Sequence, residues 1–168
     1  MTRVLPTSDE CKLLVANYLE ILTSARDEQT VQDFLEHRSE LIPLEWMLGH
    51  GLHLDIVMSK LQMNTSFTCD FAYLTKNSAK WYVVLVELEK PTKKIFRSDL
   101  KRVNFSSDFN QALGQVESWK SQLERDSAEI QRKLAPLMLG MADNPIDYKF
   151  ILVYGRDSEF GVNRERKK

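Results

Sequence analysis

Residues 81–91 read W-Y-V-V-L-V-E-L-E-K-P, and the fold turns on them. The apolar run predicts a strand over Trp81–Glu89, and Pro91, which has no N–H to donate, prevents continued ladder pairing. Side chains alternate across a strand, so Glu87 and Glu89 share one face with Trp81, Val83 and Leu85. Burying unpaired carboxylates costs several kcal/mol, so something positive is expected opposite them. A divalent metal ion meets that need and also accounts for Asp70, which lies upstream in C-D-F-A-Y-L.

Outward from this strand, Phe67–Leu74 reads as its hairpin partner across the turn Lys76-Asn-Ser-Ala-Lys80. The alternation Leu54, Ile56, Met58 suggests an earlier strand beginning near Leu52. Upstream, Thr7-Ser-Asp-Glu10 is a capping-box pattern opening an amphipathic helix to about Ser24. A second helix is expected over Asp27–Leu41, stopped by Pro43, with another turn at Leu44–Leu48. Downstream, residues 92–106 read as a polar loop. A long helix is then expected from an N-cap at Ser107 to Leu134, with Ala112, Val116, Trp119 and Leu123 as its apolar stripe and Pro136 ending it. A last strand covers Tyr148–Tyr154. The order of helices, three strands, helix and strand implies an α/β (α+β) fold, a mixed sheet flanked by helices. Residues 1–26 are read as an N-terminal helical appendage and 27–168 as the main domain. The short basic tail after the last strand suggests one end of a longer domain.

Composition narrows the classes. The chain has 168 residues, a formal net charge of −1 and two cysteines. Cys11 and Cys69 form no C-x-x-C pair, so zinc is not expected, and nothing demands an oxidising compartment. No apolar run is long enough for a membrane span and Met1–Thr7 lacks a signal-peptide core, which leaves the cytoplasm as the default location. There is no phosphate-loop or dinucleotide fingerprint and no nucleophile elbow. His50 and His53 lack a third ligand. The near-neutral total conceals an asymmetry: residues 1–89 carry 7 Lys/Arg against 13 Asp/Glu, and residues 90–168 carry 16 against 11. A basic half beside an acidic cluster suits a polyanionic substrate at a metal site. Two halves that neutralise each other inside one fold read equally well.

Magnesium takes oxygen ligands and keeps several waters. Asp70 and Glu87 would supply carboxylates, with the Leu88 carbonyl alongside, and Glu89 or Lys90 would orient the attacking water. The cations Lys93, Lys94, Arg97, Lys101 and Arg102, following Lys90, form a natural clamp for a phosphate backbone, with Phe96 and Phe105 available for stacking. The same residues can also be read as polar strand ends and a solvated loop.

These motifs, in this order, resemble a known group. Asp70, a hairpin, and an apolar strand ending Glu-x-Glu-Lys-Pro resemble the core of the PD-(D/E)xK nuclease superfamily. V-E-L-E-K-P, then Q-A-L-G-Q-V-E-S-W, then F-I-L-V-Y-G-R, preceded by D-E-Q-T-V-Q-D-F-L-E-H-R, is similar to the Shedu group of bacterial anti-phage nucleases. The resemblance spans roughly Asp27 to Arg166. It implies a restriction-endonuclease-like core that cuts DNA with Mg²⁺, for which Mn²⁺ would substitute, and that works as a homo-oligomer. It makes Asp70 and Glu87 the metal-binding acids, with Glu28 a further acid. Glu89 stands where the superfamily usually has lysine; Lys90, next door, would point away as a regular strand residue, but a strand-end bulge before Pro91 would turn its amine into the site. A helix glutamine near the metal is implied, with Gln115 the choice and Gln111, one turn earlier, the reserve. A module on the same scaffold that binds nucleic acid or protein without cutting is the alternative.

Overall fold

The computed structural model describes residues 7–25, 27–44, 51–97, 104–139 and 143–155. Helices α1 (Ser8–Ser24) and α2 (Glu28–Glu36) lead into strands β1 (Val57–Gln62), β2 (Thr68–Lys76) and β3 (Trp81–Leu88). Helices α3 (Ser107–Arg125) and α4 (Ala128–Leu134) then cross over to β4 (Ile146–Val153). The sheet order is β1-β2-β3-β4. The first three strands are antiparallel and β4 runs parallel to β3. This is the mixed sheet flanked by helices that the element order implied.

Each face of the sheet has its own core. Trp81, Val83 and Leu85 of β3 pack with Trp119 and Leu123 of α3 and Ile130 and Leu134 of α4. Val84, Val86 and Leu88 face the other way, onto Val31 and Leu35 of α2. All of β3 is therefore buried, because it is covered on both faces and paired along both edges. Each fully buried large apolar side chain contributes about 1.5–3 kcal/mol. Helix α1 lies against α2 through Tyr18 stacked on Phe34, centroids 6.0 Å apart, and its capping box forms as expected, with both the Thr7 amide and hydroxyl on Glu10.

Four local expectations need correcting. Helix α2 stops at Glu36, and Ser39–Leu41 is a separate 3₁₀ turn. His53–Asp55 is also a 3₁₀ turn, with Leu54 and Asp55 at φ +58° and +51°, so the strand starts at Val57 instead of Leu52. Within that turn the His53 ring nitrogen lies 2.9 Å from the Leu137 carbonyl, so this histidine makes a structural contact. The long helix is broken at Asp126–Ser127, where the Asp126 carboxylate accepts the Ala128 N–H. Its N-cap is Ser106 and not Ser107. His50 and most of the turn expected at Leu44–Leu48 lie outside the described residues.

Ser106 also fixes the segment before α3. Its hydroxyl oxygen accepts the Phe109 N–H and its O–H donates to the Lys94 carbonyl at 2.6 Å. The Ser106 N–H donates to the Ile95 carbonyl and the Arg97 N–H to the Asn104 carbonyl. Phe96 pairs and stacks with Phe105, Phe105 meets Phe109, and Phe109 meets Tyr154 beyond β4. The described part of the polar loop is thus anchored. Ser106→Ala is expected to lower stability by about 1–2 kcal/mol, since it removes a cap and leaves the Lys94 carbonyl without its donor. Urea denaturation measures this, and a change below about 0.3 kcal/mol would show that the cap contributes nothing.

Candidate metal and acid site at the end of strand β3

Both ladders around β2 open at one position. The β1–β2 pairing passes from Ser59↔Phe71 to Leu61↔Cys69, and Lys60 between them, opposite Asp70, adopts φ +49°. The β2–β3 pairing ends at Phe71↔Val86, one step short of Asp70 and Glu87, which lie across from each other. In place of a backbone partner, Leu88 donates its N–H to the Asp70 carboxylate at 2.7 Å. The acid thus replaces a missing rung of the sheet and is held rigidly by it.

Glu87 is 9% exposed. One of its oxygens, Oε1, accepts from Gln115 Nε2 at 2.5 Å. The other, Oε2, is buried with no hydrogen-bond partner. Burial, then the charges of Asp70, Glu28 and Glu89, push the Glu87 carboxyl up to about 9, against a small opposing effect of Gln115. Asp70 is raised too, chiefly by burial, with the Leu88 N–H pulling the other way. The charge of Asp70 thus disfavours ionisation of Glu87. The neighbouring Cys69 thiol is pushed up to about 12 by its own burial and by both acids, which leaves it unreactive at neutral pH.

Other groups converge on the pair. Glu28, the first residue of α2, is raised by its burial and by Asp70 and Glu89. Glu89 accepts from Lys93 Nζ at 2.5 Å, and their side chains are 10% and 30% exposed. Lys90 is exposed, and its charge acts on Asp27 and Glu28 at the start of α2. Gln111 is exposed one turn before Gln115, while Trp119 is buried core. Lys94 and Arg97 are exposed; Lys101 and Arg102, with Arg156 and the basic tail, lie outside the described residues. The structure therefore brings Asp70, Glu87, Glu89, Gln115 and Glu28 together, and adds Lys93. From the sequence alone Lys93 reads only as part of the phosphate clamp. The signal that would have located it is its i, i+4 spacing from Glu89 across the Pro91 turn, which the Lys93 N–H closes on the Lys90 carbonyl.

Among the described residues no group of three or more His, Cys, Asp and Glu side chains is arranged to hold a metal ion. Magnesium, however, uses one or two carboxylates and fills its remaining positions with water and phosphate oxygens. The undonated Glu87 Oε2 and the two facing carboxyls fit such a hard cation.

The profile of the family described as Shedu protein SduA, C-terminal, matches residues 25–168. The chain belongs to the Shedu family. Shedu proteins form an anti-phage defence family. The matched region begins at the residue after α1 and includes every residue placed in the acid site. A search of curated proteins finds no match to the chain. Among the described residues no helix is long and apolar enough to cross a membrane.

Proposed function

We propose that this Shedu chain is a magnesium-dependent endonuclease that hydrolyses phosphodiester bonds of DNA in anti-phage defence. The observation that carries the reading is the buried Asp70–Glu87 pair with an undonated carboxylate oxygen at the open end of β3. The mixed sheet, in which a hairpin leads into a crossover, is consistent with a PD-(D/E)xK core. Asp70 and Glu87 would hold the cation. When bound, it supplies a water of lowered pKa and a positive partner for the phosphate oxygens. Gln115 fixes the Glu87 carboxylate, and Asp70 is fixed by the Leu88 amide, so neither acid has to reorganise to bind. The exposed Lys94 and Arg97, with Lys101 and Arg102, would hold the phosphate backbone.

The test is incubation of plasmid and linear DNA with the purified chain under Mg²⁺, Mn²⁺ or chelator. Cleavage that requires metal is expected. Cleavage unaffected by chelation would exclude the metal assignment. The second reading, a module that binds without cutting, draws on Glu89 occupying the usual lysine position. It predicts neither cleavage nor calorimetric Mg²⁺ binding near millimolar concentration.

A further inference from the structure

We propose that Lys93 is the lysine of this site, delivered from the turn after β3 and aimed by Glu89, and that its ammonium binds the scissile phosphate. The inference rests on the nuclease reading above and concerns which cation completes it.

Geometry carries it. Lys93 Nζ sits 2.5 Å from Glu89 Oε2, and the charge of Glu89 acts on both Asp70 and Glu87. Lys93 also acts on Glu28, ahead of Lys90, whereas Lys90, the nearer residue in sequence, is exposed and acts on Asp27 as well. The backbone that presents Lys93 is fixed from three sides. Its N–H closes the turn on Lys90, and the next residue's carbonyl accepts from Ser106. On the third side Gly155, at φ +65°, approaches so closely that an added Cβ would lie 2.8 Å from Ile95 Cγ1 and 3.4 Å from the Lys93 carbonyl. A lysine on so constrained a segment is positioned, unlike one on a solvated loop.

A lysine ammonium has three N–H donors, so one can stay on Glu89 while others reach a phosphate oxygen. In hydrolysis a water oxygen bonds to phosphorus as the bond from phosphorus to the leaving sugar oxygen breaks. The water's proton leaves to solvent and the departing oxygen takes one from solvent, giving a phosphomonoester and a hydroxyl. Lys93 moves no proton in this balance. It stabilises the negative charge that grows on the non-bridging oxygens. Glu89, in the position where lysine is usual, is then a positioning residue for a lysine four places on.

The experiment compares Lys93→Met, Lys93→Arg and Lys90→Met with the wild-type chain, in DNA cleavage and in calorimetric Mn²⁺ titration without DNA, with thermal unfolding to verify the fold. Lys93→Met is expected to lose about 10²–10³-fold in cleavage, and Lys93→Arg, which keeps the charge, to retain more. Because Lys93→Met also removes a cation from the acid cluster, its Mn²⁺ affinity is expected to rise roughly tenfold. Unchanged Mn²⁺ affinity in Lys93→Met, or a greater cleavage loss in Lys90→Met than in Lys93→Met, overturns the proposal. If the wild-type chain cuts nothing, the nuclease reading fails, and the Mn²⁺ titration still decides whether Lys93 belongs to the site.

Discussion

Asp70→Asn and Glu87→Gln are each expected to reduce metal-dependent DNA cleavage by at least about 10³-fold while leaving the fold intact. The amides are better probes than alanine here. In Asp70→Asn the remaining side-chain oxygen can still accept the Leu88 N–H, and in Glu87→Gln it can still accept from Gln115, so the contacts that hold each side chain survive. Alanine at 70 would leave a buried amide without its acceptor, at about 1–3 kcal/mol, and would mix a stability effect into the activity measurement. What both substitutions lose is charge. A cation beside a neutralised ligand gains too little Coulomb energy to shed its water, so Mg²⁺ affinity should fall together with rate. Retention of activity within about tenfold by both variants would rule out the pair as the metal-binding acids.

The second large effect is on stability, and it has the opposite sign. The folded-state Glu87 carboxyl is raised from the ordinary 4.5 to about 9. Between those values the folded chain holds a proton that the unfolded chain has released, so unfolding is increasingly favoured as pH rises through that window, and the trend levels off above it. Glu87→Gln removes this burden. In chelator it is expected to be more stable than the wild type by on the order of 2–3 kcal/mol at pH 8, roughly 5–10 °C in midpoint, with the difference shrinking towards pH 5. Thermal melts across pH 5–9 measure it. Parallel pH profiles for the two proteins would show that Glu87 is not the group concerned. A residue that destabilises the fold until a cation arrives is the expected signature of a functional acid.

Much of the architecture could be read from local signals. Thr7 and Glu10 announced α1, and the apolar run of β3 with its hairpin turn placed the centre of the sheet. The departures share a physical cause. Leu52, Leu54 and Ile56 alternate as a strand would, yet Leu54 and Asp55 turn left-handed, while the adjacent His53 is tied to Leu137, 84 residues away. The stripe Trp119, Leu123, Ile130, Leu134 keeps one buried face through the break at Asp126, so periodicity alone conceals it. The proximity of Asp70 and Glu87 is legible in the strand pattern and hairpin, and Gln115 beside them follows from the family resemblance. The place of Lys93 is not legible, because it depends on a turn, a glycine beyond β4 and a serine cap acting together.

The interior position of β3 fixes how a substrate can arrive. With β2 and β4 on its flanks and helices over both faces, the strand offers its acids only at its tip. Glu28, Glu89 and Lys93 gather at the same end, near enough for Glu28 and Glu89 to act on Glu87. Under the nuclease reading proposed above, a phosphate backbone would reach the acid pair from that end of the strand.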